Sequence, residues 1–208
     1  MMMRVKVCGM ATVEDVRTCV DAGVDAIGFI FAQSPRRLAL GNGQAGAIAA
    51  AAPPFVTRVG VFANDSEDVV RTAIAQCRLD VLQFSGDEEP AFCGSFGKPT
   101  VLSVRDRTFS QDDLDAASAV ALIVDSFGPG RYGGTGRTVE AGAFERARAA
   151  HPNIPLVLAG GLTPANVGWI AGSLRPYAVD VRSGVEREGR KDPELVLSFV
   201  KAARAALA

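Results

Sequence analysis

Short apolar runs alternate with amphipathic stretches from one end of this chain to the other. The runs at 4–8, 26–31, 57–62, 81–84, 100–104, 121–125, 156–159 and 178–181 are rich in apolar and β-branched residues. Each has the length of a buried strand. Between them, apolar residues recur at i, i+3 and i+4. Val13, Val16, Cys19 and Val20 share one helical face, and Val69, Val70, Ala73, Ile74 and Cys77 share another. Thr12 and Ser66 stand at N-cap positions, and Asp15 completes a capping box with Thr12 in its shorter-armed form. The run Asp87-Glu88-Glu89-Pro90 reads as a helix start, and a last helix over 193–207 opens with Pro193 in its first turn.

Eight strand–helix units with no linker, composition break or fixed-period repeat predict one domain over 1–208, an α/β protein folded as a (β/α)₈ TIM barrel. The main rival is a doubly wound open sheet. It carries a glycine-rich loop after its first strand, whereas Cys8-Gly9-Met10 stands here. The fifth unit is the weakest: 105–120 is polar, which predicts a shortened fifth helix within 112–119.

Composition narrows the partners. A net charge of −1 leaves no electrostatic footprint for nucleic acid or an anionic membrane surface. The Ala-rich stretch 45–52 stops at Pro53-Pro54, too short to span a bilayer. The first residues show no signal-peptide pattern, and the four cysteines lack CxxC spacing. They read as free thiols in a reducing cytosol, so the expected compartment is the cytoplasm. A single histidine, His151, leaves no metal-ligand cluster.

In a barrel of this kind chemistry sits at the C-terminal ends of the strands and in the loops beyond them. Ala159-Gly160-Gly161-Leu162 and 180–186, with Asp180, Ser183 and Gly184, follow the last two strand runs. Glycines there leave backbone N–H groups open to an anion, and the last two βα loops are where such barrels hold phosphate. The remaining strand ends supply Lys6 and Cys8, Ser34-Pro35-Arg36, Gln83, Asp125 and, in the loop after it, Gly133-Gly134-Thr135-Gly136. Strand alternation puts Lys6 and Cys8 on one face. Cys8 is either a small interior residue or, as thiolate, a base for a carbon-bound proton. Asp125 ends an apolar run and is either an N-cap, an ion-pair partner or a general acid. Arg36 is either a solvated charge or a bidentate clamp for a carboxylate. Cys19, Cys77 and Cys93 read as core, His151 as a solvated helix end, and Trp169 as packing at a helix edge.

The ordered set Lys6-Val7-Cys8-Gly9, Gly28-Phe29-Ile30-Phe31 with Ser34-Pro35-Arg36, Val59-Gly60-Val61-Phe62, Asp125, Gly133 to Gly136, Ala159 to Leu162 with Pro164 and Asn166-Val167, and Asp180 to Glu186 with Gly189, Lys191 and Asp192 resembles the phosphoribosylanthranilate isomerases. The resemblance is collinear over the whole chain. It implies a (β/α)₈ barrel of tryptophan biosynthesis that performs an Amadori rearrangement of N-(5-phosphoribosyl)anthranilate into the 1-deoxyribulose 5-phosphate. Carried over by position, Asp125 is the general acid on the ribose ring oxygen and Cys8 the base at C2. Arg36 holds the anthranilate carboxylate, Gly160, Gly161, Ser183 and Gly184 the phosphate, and Asp180 the sugar hydroxyls, with Gln83 and Gly134 also on the substrate. No metal or organic cofactor is implied. The partner is a small phosphosugar, and the chain is expected as a monomer or homodimer. Closure of 128–132 over the sugar is also expected. One departure stands out: the family's fourth strand usually ends Gln-Leu-His-Gly, and here it reads Gln83-Phe84-Ser85-Gly86. Contacts on the anthranilate side are then weaker or rebuilt, with Phe84 a candidate to compensate. Two other readings remain at this stage: a related phosphosugar isomerase, and a barrel that binds a phosphorylated ligand without turning it over.

Overall fold

A computed structural model describes residues 2–104, 107–125 and 141–206. Eight parallel strands pair in sequence order and close on themselves: β1 Arg4–Cys8, β2 Ala26–Ile30, β3 Thr57–Phe62, β4 Val81–Phe84, β5 Thr100–Ser103, β6 Ala119–Val124, β7 Leu156–Leu158 and β8 Ala178–Val181. Helices follow each strand: α1 Val13–Asp21, α2 Gln44–Ala50, α3 Glu67–Cys77, α4 Pro90–Gly94, α5 Gln111–Ala116, α6 Ala141–Ala150, α7 Val167–Leu174 and α8 Pro193–Ala205. Between β8 and α8 the chain makes a turn of 3₁₀ helix, Ser183–Val185, and a small antiparallel hairpin of β9 Glu186–Arg187 and β10 Arg190–Lys191.

The alternation of side chains along each strand sorts the barrel into two layers. Val5, Val7, Ile27, Phe29, Leu82, Phe84, Leu122, Val124, Leu158 and Val179 are buried in the large core that the sheet shares with the helices. Residues of the opposite parity fill the interior. Ala121, Ile123, Val157, Ala159 and Ala178 form one small cluster there, and Cys8, Ile30, Ala32 and Val61 another. The interior also holds the buried polar groups Lys6, Gln83, Ser103 and Asp180. A run of rings, Phe31 on Phe62 at 5.4 Å, Phe62 on Phe84 at 5.8 Å and Phe84 on Phe96 at 6.1 Å, fills the β2–β4 sector. That bulk compensates for α4, which at five residues is the shortest α-helix among the described residues.

The expected shortening of α5 is present, at six residues. The still shorter α4 was not foreseen, because its acidic start resembles that of a longer helix. Two expectations are corrected. His151 is 5% exposed rather than solvated, since the end of α6 packs it beside Phe109, with ring centroids 6.3 Å apart. Trp169 is 66% exposed, because Val167, Ile170, Ala171 and Leu174 take the core-facing side of α7 and turn it outward. Cys19, Cys77 and Cys93 are buried free thiols, as core positions require. Among the described residues no helix is long and apolar enough to cross a membrane.

Asp15 does more than cap α1. Its carboxylate accepts from the N–H groups of Ala11 and Thr12 at 3.0 Å each and from that of Lys191 in β10 at 3.1 Å. Thr12 Oγ1 accepts in return from the Asp15 N–H at 3.2 Å. Burial opposes its charge, but these N–H donors outweigh burial and lower its pKa. The stability this contributes is present above the ordinary carboxylate pKa and is lost as pH falls through the depressed one. Asp15→Ala is expected to cost about 1–3 kcal/mol, lowering Tm at neutral pH by roughly 3–10 °C. The loss shrinks in acid, and an unchanged melting curve at neutral pH would refute this role.

Candidate active site

Three strand ends bring the chemistry together. In the seam between the first and last barrel strands, Lys6 is the register partner of Asp180. Its Nζ donates to Asp180 Oδ1 at 2.9 Å, and both side chains are about nine-tenths buried. Two residues further along β1, on the same face, stands Cys8. Its register partner is Gly28 in β2, and a Cβ at position 28 would lie 2.6 Å from the Cys8 Sγ. The sulfur thus occupies the space that glycine leaves.

The electrostatics at Cys8 are a contest. Burial pushes the thiol pKa up; the Lys6 ammonium pulls it down, Asp180 pushes it up again, and Lys191 and Arg182 pull it down from farther off. Burial wins, and the pKa rises. For Lys6, burial disfavours the charge, yet Asp180 and Cys8 outweigh it and the ammonium is held more firmly than usual. Lys6 is bonded to the Asp180 carboxylate, and its charge acts on the Cys8 thiol.

On the other side of Asp180 a niche of about 40 Å³ opens, lined by Asp125, Ala159, Gly160, Gly161, Leu162, Asp180, Val181, Arg182, Ser183 and Gly184. A water takes roughly 10–15 Å³ by this measure, so the niche accepts a group of about three waters' bulk, which suits a phosphoryl group. The two glycine loops touch directly: a Cβ on Gly184 would fall 1.9 Å from the Leu162 carbonyl oxygen. Asn166 ties the first loop down. Its Oδ1 accepts from the Thr163 N–H at 2.8 Å and its Nδ2 donates to the Gly161 carbonyl at 3.0 Å.

Of the residues expected at the site, Asp125, Gly160, Gly161, Asp180, Ser183 and Gly184 share the niche. Cys8 does not line it and joins it through Lys6 and Asp180. Arg36, in the loop after β2, points its guanidinium at Glu186 in β9, with Nη2 donating to Oε2 at 3.0 Å. Gln83 is buried in the interior and donates from Nε2 to the Ser85 Oγ at 3.1 Å. Phe84 cannot stand in on the substrate side, because it is 2% exposed and packed in the helix-facing ring cluster. Strand alternation sends it outward when Gln83 points in. Gly134 and the segment 128–132 lie outside the described residues. Glu186 and Lys191 were absent from the expected site, although the hairpin brings Glu186 against Arg36. Among the described residues no group of three or more His, Cys, Asp or Glu side chains is placed to hold a metal ion.

A closed (β/α)₈ barrel with an anion-sized niche at its last two loops and ionisable groups at its mouth defines a barrel enzyme of phosphorylated small molecules. The family model described as N-(5'phosphoribosyl)anthranilate (PRA) isomerase matches residues 5–202, and the chain belongs to that family. An N-(5'-phosphoribosyl)anthranilate isomerase of Moorella thermoacetica is 44% identical over 208 residues, covering 99% of this chain and 91% of the relative. The crystal structure of phosphoribosyl anthranilate isomerase from Thermus thermophilus superposes with a TM-score of 0.82 at 32% identity, covering 99% of this chain and all of that one. A second phosphoribosyl anthranilate isomerase structure has a TM-score of 0.77 at 31% identity, covering 97% of this chain and 98% of the other. It holds reduced 1-(o-carboxyphenylamino)-1-deoxyribulose 5-phosphate.

Removing the Lys6 charge strips the thiol of its strongest attractive partner and leaves Asp180 unpaired beside it. Both changes raise the Cys8 pKa. In Lys6→Met, the thiolate absorbance of the free protein, taken as the difference from a Cys8→Ala control in the same background, should titrate roughly one unit or more above its midpoint in the parent. Cys19, Cys77 and Cys93, pushed up to about 12, 11 and 12 by burial, cancel in the difference. A midpoint that stays put refutes the coupling.

Proposed function

We infer that this chain isomerises N-(5'-phosphoribosyl)anthranilate to 1-(2-carboxyphenylamino)-1-deoxyribulose 5-phosphate in tryptophan biosynthesis. The observation that carries this reading is the family match over 5–202, with Asp125 and Asp180 lining the niche and Cys8 two residues along β1 from Lys6, the ion-pair partner of Asp180. The ring-opened substrate is itself the electron sink, since an iminium at C1 acidifies the proton on C2. Positioned acid and base groups are therefore enough.

In the proposed sequence the Asp125 carboxylic acid protonates the ribose ring oxygen. The C1–O bond breaks and the nitrogen lone pair forms the C1=N iminium. The Cys8 thiolate then takes the C2 proton; the C2–H electron pair becomes the C1=C2 bond of an enolamine while the C1=N π pair returns to nitrogen. Loss of the enol proton and protonation at C1 give the ketone. Peptide groups of the Gly160-Gly161 and Ser183-Gly184 loops hold the 5′-phosphate in the niche, and Asp180 meets the sugar hydroxyls. Arg36 takes the anthranilate carboxylate. Ser85, bonded to Gln83, offers a short polar surface at the anthranilate end. The substrate is a small phosphosugar, the compartment the cytoplasm, and the working form a monomer or homodimer.

Substrate generated in situ and followed by loss of its fluorescence tests the assignment. Cys8→Ala and Asp125→Asn should each lower kcat by about 10²-fold or more, with KM changed far less. Near-normal kcat in both would remove the two roles while leaving the activity standing. No turnover in the parent chain would remove the reading altogether.

A further inference from the structure

Glu186 is placed between two cations and spends one oxygen on each. Oε2 accepts from Arg36 Nη2 at 3.0 Å, and Oε1 accepts from Lys191 Nζ at 2.8 Å. The Lys191 side chain is only 1% exposed, and its ammonium also donates to the Arg182 carbonyl at 3.1 Å. Its own main chain is pinned from behind, with the Lys191 N–H donating to Asp15 Oδ1 at 3.1 Å. Glu186 is therefore held by a rigid, buried partner. Arg36, 24% exposed in its side chain, is the outward member of the trio.

The other end of Arg36 is also fixed. Its N–H donates to Ser34 Oγ at 3.1 Å. The turn of the hairpin passes close to the guanidinium: Gly189 has φ of 78°, and a Cβ there would come within 2.9 Å of Arg36 Nη2. Among the described residues the Arg36 guanidinium makes this one hydrogen bond, end-on through Nη2. The remaining donors of the planar fork stay available for a carboxylate.

We propose that Glu186 is a positioning residue: bridging buried Lys191 and Arg36, it orients the guanidinium that receives the aromatic carboxylate of the substrate. The inference rests on the assignment of Arg36 to that carboxylate. It gives the β9–β10 hairpin a purpose, since the hairpin carries Glu186 and Lys191 at one paired register position and joins the rim after β8 to the loop after β2. A carboxylate that merely competed with substrate for Arg36 would act in the opposite sense, because its removal would tighten binding.

Steady-state kinetics of the full chain separate these cases. Glu186→Ala should raise KM by about tenfold with kcat within about twofold, since an unanchored guanidinium weakens binding of substrate and transition state alike. Glu186→Gln, which keeps an acceptor for Arg36, should recover part of the loss, and it stands in should the alanine variant not fold. Arg36→Ala should raise KM at least as much, and adding Glu186→Ala to it should change nothing further. An unchanged or lower KM in Glu186→Ala, or additivity in the double variant, overturns the positioning role while the assignment of Arg36 stands. An unchanged KM in Arg36→Ala overturns both.

Discussion

The ion pair between Lys6 and Asp180 is the constraint on which the rest of this site depends. It lies across the seam where the first strand of the barrel meets the last, between residues that are direct register partners. Burying two charges costs several kcal/mol per ion, and a close contact with further hydrogen bonding is needed to offset that. The 2.9 Å hydrogen-bonded contact supplies the attraction here. Either charge alone at that depth would be forced towards its neutral form. One pair thus sets the charge felt by the thiol on one side and provides a wall of the anion niche on the other.

The barrel was legible because its signal repeats. Eight strand runs with helical stripes between them leave few topologies, and the strand ends fell within one or two residues of their observed positions. The niche was legible for a related reason, since glycine loops after consecutive strands must converge on one rim. What the pattern hid were the directions of single side chains. Alternation was enough to place Gln83 inside and should have sent Phe84 outside, where its rings are. His151 was misjudged because a helix end with proline beside it reads as surface, and only the packing of Phe109 against it reveals otherwise.

The hairpin was out of reach for a different reason. Strands of two residues carry no period, and nothing local distinguishes Glu186 from a solvated charge. Its partner Arg36 lies 150 positions away in the chain, and the Asp15 carboxylate that receives the Lys191 N–H lies 176 away. Such contacts exist only once the barrel has closed and brought the loop after β8 beside those after β1 and β2. Gly189 was the available clue: a glycine between charged residues marks a turn with positive φ, and hence a hairpin on the rim.

The charge placement also bears on how the Cys8 thiol, proposed as the base, would work. In the free protein Lys6, Lys191 and Arg182 all favour the thiolate, while burial and Asp180 oppose it. The proposed substrate brings a phosphate into the niche against Arg182 and a carboxylate to Arg36. The phosphate weakens the positive field at the sulfur and makes its proton harder to lose. The same change makes the thiolate, once formed, a stronger base towards the C2 proton. Lys6 is the cation least open to neutralisation by an incoming anion, because its partner Asp180 is already covalently part of the barrel wall. Keeping that pair buried fixes a minimum of thiolate stabilisation, which Arg182, lining the niche, cannot guarantee once the proposed substrate is bound.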